Sequence, residues 1–154
     1  MGLTDVLPLM SDWNRDRDAA PATGPAPDVA VLEDEPHLAE LAVELCDRMG
    51  LTAATYRSPA NFLGEVSHHT PRLLVLDWRF ERELGAAVFM TVRHRFGDLP
   101  IVCWTATAIT DLPAMLVRDP NVRIVQKARG AEAFEAALRW AVSHAGDEER
   151  STDP

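Results

Sequence analysis

Cysteine is scarce in this chain: two in 154 residues, and both Cys46 and Cys103 sit inside apolar segments. That excludes a disulfide framework and reads as two small buried thiols in a reduced cytoplasm. Long apolar runs are missing as well. None approaches the roughly 20 residues that cross a bilayer, and the longest uncharged run of the second half, LPIVCWTATAIT, is interrupted by Pro100 and several Thr. A basic start followed by an apolar block is absent, since Asp5 and Asp12 stand there instead, so no secretory signal is read. Positive charge is in deficit. Fifteen Lys plus Arg against 24 Asp plus Glu leave a net charge of −9, a poor balance for a nucleic-acid binder. Neither nucleic acid nor membrane is expected as a partner.

What remains is ordinary globular composition, 47% hydrophobic and 25% charged, enough for one domain with tails. Residues 1–27 read as a flexible N-terminal extension. Its stretch RDRDAAPATGPAP has no periodicity, and ahead of that Leu3, Val6, Leu7, Leu9, Met10 and Trp13 form either a disordered leader or a short docking segment. Residues 28–145 form the domain, and 146–154 a disordered polar tail.

Within the domain, strand and helix patterns alternate. Strands are expected at 28–32, 51–56, 72–77, 99–105 and 121–126. Helices are expected at 36–50, 58–69, 84–96, 110–119 and 131–145. The first should bury Leu38, Leu41, Ala42, Leu45 and Met49, and the last Phe134, Ala137, Leu138 and Ala141. Five such units imply a doubly wound α/β fold, a five-stranded parallel sheet with helices on both faces. In open sheets of this kind the functional crevice lies beyond the carboxyl ends of the strands.

Those ends carry a consistent set of polar residues. Glu33, Asp34 and Glu35 follow the first strand, Asp77 the third, Thr105 and Thr107 the fourth, and Lys127 the fifth. Carboxylates packed together repel one another unless a cation intervenes. A few oxygen ligands from separate strands suit Mg²⁺, which completes its shell with waters and a phosphate. An ammonium and a hydroxyl opposite suit the remaining phosphoryl oxygens.

On VLEDEP, LLVLDW, IVCWTA and IVQK the sequence resembles the receiver domain of two-component response regulators over about residues 28–145. The resemblance implies a flavodoxin-like sheet of order 2-1-3-4-5. It implies Asp77 as phospho-acceptor, Lys127 and Thr105 as its partners, and Mg²⁺ held by Glu33, Asp34, Asp77 and the backbone carbonyl of Arg79. It places Arg79 and Thr107 where the family tunes phosphate lifetime, and Thr105 and Ile124 at the switch positions. Gly85 stands where the family opens its third helix with Gly.

Departures accompany the match. Ala128 replaces the usual cis-Pro after the Lys, Ile124 replaces the switch aromatic, and Glu81 replaces the usual Pro after the acceptor loop. RDPN (118–121) replaces a Gly-Ala pair, and Pro113 falls in the first turn of a short fourth helix. The expected protein is therefore a cytoplasmic, stand-alone phospho-accepting module rather than an enzyme. It takes its phosphoryl group from a histidine kinase or a histidine phosphotransfer protein. It signals to an unidentified output protein, or forms a homodimer, through the face of the fourth helix, fifth strand and fifth helix. Two rivals stand beside this reading. One is a receiver-like interaction module that is never phosphorylated. The other is a Mg²⁺-dependent phosphohydrolase, against which Arg79 occupies the place of a second Asp. His37, His68, His69 and the VRHRF segment (92–96) are read as solvated polar positions, and Trp140 as either a partner contact or partly buried.

Overall fold

The computed structural model describes residues 26–66, 69–80 and 85–151, with side chains up to residue 145. Most of the expected N-terminal extension, together with His68 and Glu81, lies outside these residues. The strands are β1 (Val29–Leu32), β2 (Ala53–Tyr56), β3 (Leu73–Leu76), β4 (Ile101–Thr105) and β5 (Val122–Gln126). The helices are α1 (Pro36–Arg48), α2 (Pro59–Val66), α3 (Gly85–Phe96), α4 (Ala114–Val117) and α5 (Ala131–Ser151). The sheet is parallel throughout in the order β2-β1-β3-β4-β5. This is the expected doubly wound arrangement.

Strand alternation explains why both faces are covered. Val29 and Val31 of β1, Leu73 and Val75 of β3, and Val102 and Trp104 of β4 pack with Leu45 of α1 and Phe134 and Leu138 of α5. Their neighbours Ala30, Leu32, Leu74, Leu76, Ile101 and Cys103 turn to the other face, against Phe62 of α2, Val88 and Val92 of α3 and Leu116 of α4. Both residue sets are apolar, so these strands show no polar alternation in sequence. Phe62, Phe80 and Phe134 are fully buried, each stabilising the fold by about 1.5–3 kcal/mol.

Local signals set the helix starts. The Glu35 carboxylate accepts the Leu38 amide at 3.0 Å ahead of Pro36, and Ser58 Oγ accepts the Asn61 amide at 3.2 Å. Several helix limits differ from expectation; the second helix is described over Pro59–Val66 where 58–69 was expected. The first helix stops at Arg48, because Gly50 takes a left-handed φ of +74°. Its buried face is Ala42, Leu45 and Cys46, while Leu41 remains 37% exposed. The fourth helix, expected over 110–119, splits into a 3₁₀ turn at Ile109–Asp111 and the four residues of α4. Pro113 forces Leu112 into an extended conformation (ψ 146°) and thereby separates the two pieces. The last helix continues past residue 145 to Ser151, into the stretch expected to be a disordered tail; no proline precedes Pro154 to stop it.

Arg93, expected to be a solvated member of VRHRF, is a tie between elements. Its guanidinium meets Asp119 at 2.6 Å and donates to the carbonyls of Gly97, Leu99 and Asn121.

Candidate functional site

β1 and β3 are adjacent, so their carboxyl ends bring Glu33 and Asp77 together. The two chains stay paired up to the site, where the Asp77 amide donates to Leu32 O at 3.1 Å. Glu33 is only 2% exposed and Asp77 only 7%, whereas Asp34 faces solvent. Carboxylate oxygens of Glu33, Asp34 and Asp77 all lie within 4.8 Å of one another.

Lys127, delivered by β5 from the far side of the sheet, spans the two buried acids. Its Nζ stands 2.5 Å from Glu33 Oε1 and 3.2 Å from Asp77 Oδ2, and 5.5 Å from the centre of the Trp104 ring. Asp77 Oδ1 accepts the Arg79 amide at 3.1 Å, and the Phe80 amide closes the turn onto Asp77 O at 3.0 Å. That turn fixes the backbone from which the carboxylate projects. Gly85 is what lets α3 start against it: a Cβ built there would fall 2.1 Å from Trp78 O.

Burial pushes the Glu33 carboxyl up to about 7, and the adjacent Asp77 charge adds to the rise while the Lys127 ammonium opposes it. Burial works against the Lys127 ammonium too. The close contact with Glu33 and the charges of both acids outweigh it, so Lys127 lies above its ordinary value. Cys103, fully buried under the site, is pushed by burial up to about 12.

The remaining expected residues take distinct places. Thr105 is fully buried, and its Oγ1 accepts the Thr107 amide at 3.0 Å. Thr107 Oγ1 is buried with no hydrogen-bond partner among the described residues. Ile124 is half-buried on β5. Arg79 has an exposed side chain beside the acids. His37 is exposed and His69 half-buried, and neither belongs to the acidic cluster. No peptide among the described residues is cis; the segment after Lys127 forms a 3₁₀ turn through Arg129, ended by Gly130 at φ +88°. Sequence reasoning missed Gln126, whose Nε2 donates to Thr107 O at 2.7 Å and so ties β5 to the loop after β4. Nothing local announces that bond, because it joins residues 19 apart.

The donor set fits Mg²⁺. It is all oxygen, comes from two strands, and leaves the exposed Asp34 side open for water and a phosphoryl group. Burying two carboxylates side by side is costly without compensating positive charge.

Comparison with known proteins agrees with this geometry. The family described as response regulator receiver domain matches residues 29–139. Among solved structures, NtrX from Brucella abortus in complex with ADP aligns with a TM-score of 0.69 and 19% identity, covering 83% of this chain and 29% of that one. This chain thus spans under a third of NtrX. The N-terminal signal receiver domain of a two-component response regulator from Bacteroides fragilis aligns at 0.63 and 20% identity, covering 74% and 94%. A response regulator from Thermotoga maritima aligns at 0.65 and 18% identity, covering 77% and 98%. No curated protein is similar enough in sequence to count as a match. Among the described residues no helix is long and apolar enough to cross a membrane.

Proposed function

The chain belongs to the response regulator receiver domain family, and on that premise we propose that it accepts a phosphoryl group on Asp77 and signals by protein contact. The observation that carries this reading is Lys127 bridging Glu33 and Asp77 at 2.5 and 3.2 Å. An ammonium so held supplies charge for a phosphoryl group arriving at Asp77, at little reorganisation cost.

The donor is a phosphohistidine on a kinase or phosphotransfer protein. An Asp77 oxygen forms a new P–O bond as the P–N bond to the imidazole breaks, and the imidazole leaves with the electron pair and takes up a proton. Little else is required of the protein beyond in-line placement and charge neutralisation. Glu33, Asp34, Asp77 and the Arg79 carbonyl would hold Mg²⁺, which when bound neutralises phosphoryl oxygens. Lys127 exchanges its carboxylate contact for a phosphoryl oxygen. Thr105 offers its hydroxyl to another, releasing the Thr107 amide that it now accepts. The unpartnered Thr107 Oγ1 and the exposed Arg79 set how readily water reaches the acyl phosphate. Output passes to a separate protein, or to a second copy, through the face of α4, β5 and α5. The location is cytoplasmic, in keeping with two buried free thiols.

A second reading, an interaction module that never carries phosphate, is favoured by one feature. Ile124 stands at the switch position of β5 and has no ring to swing. Incubation with Mg²⁺ and acetyl phosphate, then with a histidine kinase, separates the two. The expected result is a mass gain of one phosphoryl group that Asp77→Asn abolishes. No gain from either donor leaves the interaction module.

A further inference from the structure

The outer edge of β5, the last strand of the sheet, carries a groove of about 370 Å³ lined by Ile109, Ile124, Ala137 and Trp140 together with Arg123 and Arg129. It is mostly apolar, and its only charged lining residues are these two cations, on a chain whose net charge is −9. Arg123 lies 5.0 Å over the Trp140 ring. Among the described residues no carboxylate forms an ion pair with Arg123 or Arg129. The groove is therefore built for an apolar ligand that brings negative charge.

This chain contains such a segment. Residues 3–13 read LTDVLPLMSDW, with Leu3, Val6, Leu7, Leu9, Met10 and Trp13 interspersed by Asp5 and Asp12 and no Lys or Arg. We infer that residues 3–13 dock in the β5–α5 groove of the same molecule, their apolar side chains covering Ile124 and Trp140 and their aspartates meeting Arg123 and Arg129.

Chain length permits it. Ala26 leads into β1, which lies three strands from β5, about 14 Å at the usual strand spacing. The groove sits toward the carboxyl end of β5, roughly 15 Å further along the strands. Residues 14–25 can span up to about 40 Å, which exceeds that path with slack for a detour over α5. Tethering of this kind gives an effective concentration in the millimolar range, so even a weak contact is populated. A second cavity among the described residues, about 450 Å³ beside α1, is lined by Glu33, Glu40 and Glu44 against the single cation Arg57, a net negative wall that disfavours the same aspartates.

The inference does not depend on phosphate chemistry, and neither does its test. A nitroxide is placed on Ser11→Cys in the full chain; Cys46 and Cys103 are buried and stay unlabelled. The expected result is loss of amide intensity at Ile124, Ala133 and Ala137 and of the Trp140 indole signal, with Glu40 and Glu44 unaffected. The loss should be absent when labelled unenriched chain is mixed with unlabelled ¹⁵N chain. Arg123→Glu with Arg129→Glu should restore the intensity, and adding Asp5→Arg with Asp12→Arg should bring the loss back. Four results would overturn the inference: no loss at the groove, loss centred on α1, equal loss in the mixed sample (a second copy is then the occupant), or charge reversals without effect.

Discussion

Lys127 and Glu33 come from opposite ends of the domain sequence and meet at 2.5 Å across the two strands, β3 and β4, that lie between theirs. The contact neutralises a carboxylate that has almost no access to water. Lys127→Met should leave Glu33 and Asp77 facing each other uncompensated. Removing one partner of a buried pair costs about 3–5 kcal/mol, and the partly exposed Lys side chain puts this case at or below the low end. Urea unfolding without metal should show the loss, and Mg²⁺ should recover most of it. A variant as stable as the parent without metal would mean that the pair contributes nothing.

The raised Glu33 carboxyl gives metal-free protein a defined pH dependence. In the unfolded chain Glu33 ionises near 4.5, in the folded one near 7. Between these values the folded state holds the extra proton, so stability falls as pH rises from 4.5 to 7 and levels above it. Lys127 acts at the other end: its raised value stabilises the fold at neutral pH and is lost only as pH climbs past the ordinary lysine range. Denaturant midpoints in chelator should fall across that first window. The slope should flatten in Glu33→Gln.

Gly85 has no room for a side chain. With Trp78 O only 2.1 Å from a built Cβ, and that oxygen being backbone, Gly85→Ala must push α3 and the acceptor turn apart. Overpacking of this kind typically costs about 1–3 kcal/mol. Thermal unfolding should register it, and phosphoryl uptake should slow because Trp78 follows Asp77 directly. Unchanged uptake in a folded variant would show that the turn tolerates the shift.

Arg93 answers Asp119 and three carbonyls with one planar fork. Arg93→Lys keeps the charge and loses the geometry, so it should destabilise nearly as much as Arg93→Met. Each hydrogen bond to a charged group contributes about 1.5–3 kcal/mol, and water will satisfy some of those set free. Full rescue by Lys would reduce the contact to simple charge pairing.

Asp77 was legible in the sequence because a strand buried on both faces can carry a polar residue only where it emerges. The same logic exposed Glu33 and Thr105, each at the end of its own apolar run, whereas Lys127 follows the mixed edge strand VRIVQ and was legible from its place at a strand end alone. Gln126 and Arg93 were not legible. Their partners are 19 and 26 residues away, and a polar residue on a strand end or outer helix face looks solvated until the fold supplies an acceptor. The broken fourth helix was half legible. Pro113 was visible, but its effect on Leu112 depends on backbone angles that composition does not carry. Leu41 shows the tolerance of a helical stripe: turning α1 by a fraction of a turn exchanged it for Cys46 in the core.

The order of strands across the sheet also sets the order in which the site comes into being. Glu33 and Asp77 emerge from the ribosome well before Lys127, and at 5–20 residues per second the gap from Glu33 to Lys127 is roughly 5–20 seconds. During that interval β1, β2 and β3 can pair, yet the acids at their ends lack the Lys127 ammonium. The pocket is completed only when β5 closes the sheet edge. A nascent chain stalled before residue 127 would therefore present Glu33 and Asp77 without the Lys127 ammonium, so the charge balance of the pocket is acquired last, together with the finished fold.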